Sequence, residues 1–290
     1  MKSACALSLA VFCASMCVPA MASPRSAAGG SEDPPARRTG EQVYQAACAA
    51  CHGQDGRGAP QSLTGLEIPV PDFTDCAFAT PEPDSDWLAV AHGGGPERAF
   101  DRRMPAFGEA LSAEDLQLAV SHIRTFCTSR AWPRGELNLP RALVTEKAFP
   151  ENEAVLTVTA TDAEVGNEFL YERRLGSRSQ LELVVPVDFA ERAGGGWDRG
   201  LGDLAFALKH VLFHGRSTIL SIAGEVIFPT GKEDQGLGKG VTIFEPFLSF
   251  GQGLPADAFI QVQAGLELPT KRDDAQNEAL FRIAVGKSFT

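Results

Sequence analysis

Five consecutive residues, Cys48-Ala49-Ala50-Cys51-His52, carry the clearest chemical signal in the chain. Two thiols three positions apart, with a histidine directly after them, read as covalent c-type haem attachment. Two vinyl groups on one porphyrin edge can each take up a thiol, and the adjoining imidazole then lies under the iron as axial ligand. A bare Cys-x-x-Cys would also suit a zinc site or a redox dithiol. Here no second Cys-x-x-Cys completes a zinc tetrad and no strand-then-helix frame surrounds the pair. Residues 1–22 moreover read as an export signal, so haem is the preferred reading.

A second axial ligand follows from counting. Of the four methionines, Met1, Met16 and Met21 fall in the segment that export would remove, which leaves Met104 as the thioether within reach of an iron. His/Met ligation fills both axial positions and raises the reduction potential, which suits electron transfer better than peroxide or oxygen chemistry. His92 and His122 are the rival nitrogen ligands. His92 abuts Gly93-Gly94-Gly95 and reads as an exposed loop residue, and His122 reads as a surface residue of the last helix. Trp87 reads as a core residue, although its N–H could reach a haem propionate.

The elements that must position these residues can be taken in order. Lys2, an apolar run from Ala4 to Val18 and the small-x-small Ala20-Met21-Ala22 make up the signal at 1–22. The residues before Cys13 and Cys17 fit a lipoprotein box poorly. Residues 23–38, rich in Ser, Gly, Pro and Ala, form a flexible tether. A short helix is expected from about Gly40 into the haem motif, and loop over 53–71. A second helix is expected from Asp84 or Ser85 to His92. A third starts at Ser112 with Leu116, Ala119, Val120, Ile123 and Phe126 on its apolar period. After removal of the signal two further cysteines remain, Cys76 and Cys127. In an exported protein they could form a disulfide or stay as two buried thiols.

Residues 39–130 resemble class I cytochromes c: a haem motif near the first helix, Met-Pro in a late loop, and a final amphipathic helix. The resemblance implies that Met104 is the distal ligand and that Gly40 and Tyr44 let the first helix cross the last. It also implies that Pro60 offers its carbonyl to the ring N–H of His52, a bond that would fix the tautomer.

Residues 131–150 read as a linker, with Pro133, Pro140 and Pro150 and little periodicity. From 151 to 290 the pattern changes to period two: about eight segments near 153–161, 168–175, 179–189, 203–213, 217–228, 241–250, 258–268 and 278–289. In 258–268, for example, Ile260, Val262, Ala264, Leu266 and Leu268 oppose Gln261, Gln263 and Glu267. Such alternation does not say which face is outside: a soluble sandwich turns the apolar face inward, a membrane barrel turns it to lipid. Segment length and the alternation of short and long connections favour the barrel, complete or lacking further strands, with the cytochrome on the periplasmic side. Glu225, Glu245 and Glu267 read as residues of a solvated face. The half resembles outer-membrane barrels associated with meta-pathway phenol degradation, at Gly202-Asp203-Leu204-Ala205-Phe206-Ala207-Leu208-Lys209 and at Glu225-Val226-Ile227-Phe228-Pro229-Thr230-Gly231-Lys232.

The expected fold is therefore multidomain: an all-α cytochrome c domain followed by an all-β antiparallel meander. The formal net charge of -11 argues against nucleic acid or an anionic lipid surface as partner. The expected function is a monohaem c-type electron carrier, not an enzyme, that meets periplasmic redox proteins and is anchored at the outer membrane. An outer-membrane solute transporter with an accessory cytochrome, and a peroxidase-like haem enzyme, are the alternatives.

Overall fold

The computed structural model describes residues 37–66, 69–162, 164–192, 195–271 and 276–287. The export signal read over 1–22, most of the tether read over 23–38, and Phe289 lie outside those residues.

The first part is helical, with α1 (Gly40–Ala47), α2 (Ala49–His52), α3 (Gln61–Thr64), α4 (Cys76–Ala79), α5 (Asp84–Gly93) and α6 (Ala113–Ile123). Thr39 and Gln42 close a reciprocal capping box at the start of α1, satisfying amides that a helix start leaves open. Ser112 does the same for α6 by accepting from the Asp115 amide at 3.1 Å. A Cβ on Gly40 would collide with the carbonyl oxygen of Leu118, so α1 and α6 cross where one of them has no side chain. The stretch read as loop over 53–71 contains α3. Phe126, placed by periodicity on the last helix, lies beyond its end, and its ring still packs on Tyr44 with centroids 5.2 Å apart. A disulfide joins Cys76 to Cys127, and so α4 to the chain after α6.

The second part is one antiparallel sheet: β1 (Glu153–Ala160), β2 (Glu164–Leu175), β3 (Ser179–Glu191), β4 (Trp197–Leu201), β5 (Leu204–His214), β6 (Thr218–Phe228), β7 (Ile243–Leu254), β8 (Ala258–Pro269) and β9 (Glu278–Lys287). Its order is β1-β2-β3-β5-β6-β7-β8-β9, a meander that curls into a half-barrel. β4, not expected from the sequence, pairs with the far end of β3 while β5 pairs with the near end. The two lie along the same edge, so nine strands among the described residues occupy eight places. β7 continues to Leu254 and leaves a three-residue turn where a longer connection was expected. All three turns at that end of the sheet, 176–178, 215–217 and 255–257, are equally short. At the opposite end Asp203 accepts from the Gly231 amide (2.9 Å) and the Lys239 amide (2.6 Å). Asp203 and Gly231, one from each of the two phrases singled out in the sequence, are therefore bonded to one another.

The sheet's two faces have opposite character, and the apolar one is bare. Leu156, Val158, Phe169, Phe206, Leu208, Ile222, Leu248, Phe281 and Val285 are all exposed, Val285 to 71 %. The other face carries Glu172, Gln180, Lys209, Ser221, Ser249, Gln261 and Gln263, all buried. Glu172, Gln180, Lys209, Gln261 and Gln263 contact the segment read as a linker. Leu137, Ala148 and Phe149 cluster with Val211 and Ile219 of the sheet, and around that cluster the contacts are polar. Gln261 accepts from the Thr145 hydroxyl (3.0 Å) and donates to the Pro140 carbonyl (2.7 Å). The Glu151 amide donates to Gln180 (2.7 Å) and the Lys209 ammonium to the Lys147 carbonyl (2.8 Å).

One level of this inner face is acidic across its whole width. Cross-strand register runs Glu153–Glu172–Glu182–Ala207–Glu225–Glu245, and Glu267 pairs with Glu278 on the last two strands. Glu225, Glu245 and Glu267, read as solvated, are half-buried here because the sheet curls around them. Arg141 of the covering segment enters this row, contacting Glu153, Glu172 (2.8 Å) and Glu151 (3.7 Å). Arg141→Ala should destabilise the protein by about 2 kcal/mol, the buried-pair value reduced for the partial exposure of the guanidinium. Glu172→Gln in the same background should return part of it. Denaturant unfolding of the purified protein measures both, and an additive double mutant would contradict the pairing.

Candidate haem site

Cys48 ends α1 and opens α2, so both thiols and the imidazole sit on one helical turn. The Cys48 amide donates to the Tyr44 carbonyl at 2.8 Å, and the Cys48 carbonyl accepts from the His52 amide at 2.9 Å. Both thiols are free, Cys48 half-buried and Cys51 exposed. Burial pushes the Cys48 thiol up to about 11, so it is a protonated thiol at neutral pH. A redox dithiol needs the opposite shift, toward thiolate. Burial pushes His52 down to about 4, leaving a neutral imidazole, the form that ligates a metal.

Tyr44 secures this turn from below. Its hydroxyl donates to the carbonyl of Gly53 at 2.7 Å and lies 3.3 Å from that of His52. Burial holds the phenol well above its usual range, so it stays a donor. Tyr44, Phe73 and Ile123 form the core beneath the motif, with Cys48, Ala49, Trp87 and Phe126 packed against them.

The bond implied between Pro60 and His52 is not made in this structure. The Pro60 carbonyl starts α3 instead, accepting from the amides of Leu63 (2.9 Å) and Thr64 (3.2 Å). Nδ1 of His52 is buried without a hydrogen-bond partner. The ring stacks on Phe73, with centroids 4.6 Å apart and planes 18° from parallel.

Met104 is half-buried in a loop tied to the end of α5 by three backbone bonds. These are the Gly95 amide to the Met104 carbonyl (3.1 Å), Phe107 to Ala91 (3.1 Å) and Gly108 to His92 (3.0 Å). Gly94, with a positive φ of 83°, makes the close approach of the two segments sterically allowed. His92 is exposed on α5 with Gly108 under its ring. His122 is not the surface residue expected. It lies half-buried against Tyr44 (5.3 Å) and Phe126 (5.1 Å), because the α1–α6 crossing covers it.

Two residues of the site carried no sequence signal. Phe73 sits in a proline-flanked loop without periodicity. Arg124 falls among the apolar positions at the end of α6 and looks like a charged interruption. Its side chain is nearly buried, bonds Asp84 (2.7 Å) and the carbonyls of Ala79 and Glu82, and lies 4.5 Å over Trp87. It thereby fixes the start of α5, whose other end carries the Met104 loop.

Two free thiols and a neutral imidazole with an unused ring nitrogen, on one turn over an aromatic core, are the donors that covalent haem attachment needs. The residues fit the group. Tyr44→Phe, which removes the only side-chain donor to Gly53 among the described contacts, should cost about 1 kcal/mol. Gly40→Ala should cost more, about 2 kcal/mol, since backbone must move to admit a Cβ. Denaturant midpoints of the two variants check the order, and a neutral Gly40→Ala would contradict the crossing geometry.

Residues 35–123 match the family model described as "Cytochrome C oxidase, cbb3-type, subunit III". A search of curated protein sequences finds no match to the chain. The matched part is under a third of the 290 residues and contains α1 to α6. The helical part is accordingly a cytochrome c domain, followed by a large antiparallel sheet curled into a half-barrel.

Proposed function

We propose that this chain is a monohaem c-type electron carrier fixed to the outer membrane by its β-sheet. The observation that carries the electron-transfer reading is the single turn holding Cys48, Cys51 and a neutral His52 in a domain that matches a cytochrome family. Cys48 and Cys51 would hold haem c as thioethers, and His52 and Met104 would be its axial ligands. When bound, the haem would supply a one-electron couple. The protein's own part is positional. Tyr44 and Phe73 hold the His52 turn, while the bonds from Gly95, Phe107 and Gly108 hold the Met104 loop. Exchange would occur with periplasmic redox proteins by transient docking.

The membrane reading rests on the bare apolar face. No helix among the described residues is long and apolar enough to cross a membrane, which says nothing of strands. Strands β2 to β9, β4 apart, run to between 10 and 13 residues, enough to cross hydrocarbon when tilted. A soluble sheet would turn Phe206, Leu248 and Phe281 toward a core. The short turns 176–178, 215–217 and 255–257 lie at the end where β1 begins, as periplasmic turns would, with the cytochrome beside them. The resemblance to phenol-degradation barrels agrees with this placement.

Met104→Ala should abolish the weak methionine–iron charge-transfer band at the red end of the visible spectrum. It should also lower the midpoint potential by on the order of 100 mV. A spectrum already lacking that band in the unmutated protein would favour the peroxidase-like alternative. On cell fractionation the haem-stained protein should sediment with outer membranes, and recovery in the soluble periplasmic extract would contradict the anchor while leaving the cytochrome intact.

A further inference from the structure

We infer that segment 133–151 is a plug: it seats in the inner face of the sheet and closes that face to solute. The inference rests on the membrane reading for what is closed, and on the observed contacts alone for the seating.

The segment has no helix or strand of more than three residues, yet several of its side chains are among the most buried in the protein. Pro133, Leu137, Phe149 and Pro150 are all exposed to no more than 2 %. A connecting chain is normally on the surface, because buried backbone leaves polar groups unpaired. Here the sheet supplies the partners. Gln180, Lys209, Gln261 and Gln263 reach from three strands to the Glu151 amide, the Lys147 carbonyl, the Pro140 carbonyl with the Thr145 hydroxyl, and the Glu146 amide. These four are themselves buried. Without the segment they would face open space, and the buried amide of Gln180 would keep only Glu172 and Glu182 as partners.

The seat also has a lock. Three carboxylates, Glu151, Glu153 and Glu172, come together on atoms within 4.8 Å of one another, a set that would otherwise suit a metal ion. The Arg141 guanidinium lies among them, and Lys147 bonds Glu151 at 2.6 Å. The segment thus brings its own cations to the acidic level of the sheet. It enters beside the short turns, where the Ala131 carbonyl accepts from Arg178 at 3.2 Å, and leaves into β1 at the same end. A loop that enters and leaves by one mouth and fills the space between is a stopper rather than a spacer.

Thiol protection tests the seating in the full-length holoprotein. Ser221 and Ser249 face each other across β6 and β7 on the inner face, in register with Gln263, and are 1 % exposed. Leu143, at the segment's exposed tip, serves as the open control. Ser221→Cys and Ser249→Cys should react with a small water-soluble maleimide roughly 100-fold more slowly than Leu143→Cys. Arg141→Ala with Lys147→Ala should raise the Ser221→Cys rate at least tenfold. An oxidised Thr145→Cys/Gln261→Cys pair in that background should restore protection, and reduction should release it. Labelling of Ser221→Cys at the rate of Leu143→Cys in the otherwise unmutated protein would overturn the plug.

Liposome flux of a small neutral solute separates the two inferences. Closed vesicles with the unmutated plug and leaking vesicles with the released one support closure. Equal flux from both overturns it. Failure of the protein to enter vesicles at all, with thiol protection intact, overturns the membrane reading and leaves the seated segment.

Discussion

A β-strand shows one face to each side, and the sheet of this protein has given its covered side to the polar residues. Every consequence in the second half of the chain follows from that choice. Gln180, Lys209, Gln261 and Gln263 are buried and need partners, so a stretch of irregular backbone, itself in need of partners, is drawn in to supply them. Leu208, Ile222, Leu248 and Phe281 are left outside, where only an apolar surrounding makes them stable. On the proposed membrane reading, hydrocarbon is that surrounding.

The helical domain is organised by the reverse arrangement, an apolar core under a polar surface. Tyr44, Phe73 and Ile123 hold one helical turn on which three donor atoms are grouped. Arg124 and the Cys76–Cys127 disulfide tie the long connection to the last helix. The domain is joined to the covering segment by polar contacts as well. Arg134 bonds Asp84, which Arg124 also bonds, and Glu136 accepts from the Asp84 amide. The helical domain is therefore bonded to the covering segment directly, through Asp84.

The sequence made legible what depends on neighbours along the chain. Thr39 and Ser112 announce helix starts because a cap is a contact over three residues. The eight strand positions are visible because alternation has period two, and the motif at Cys48 because its spacing is the chemistry itself. Orientation of the sheet was not legible, since inside and outside exchange without changing the alternation. β4 was missed because Asp198, Arg199 and Gly200 break any apolar period, and it forms only as a continuation of β5 along β3. The role of 133–151 was hidden for another reason. Its contacts run to Gln261, 116 positions from Thr145, and nothing local in Pro140 or Thr145 points there. Phe73 under His52 is a long-range contact of the same kind.

The two-sidedness of the sheet is the claim on which the account stands, and collisional quenching measures it directly. Spin labels placed one at a time at Leu208, Ile222 and Leu248, and at their neighbours Ala207, Ala223 and Phe247, should alternate in membranes containing the full-length protein. The first set should respond to lipid-soluble oxygen and not to a water-soluble nickel chelate, and the second set should be shielded from oxygen. Equal access of the nickel chelate to Leu208, Ile222 and Leu248 would show that the apolar face meets water, and would contradict the membrane-facing sheet.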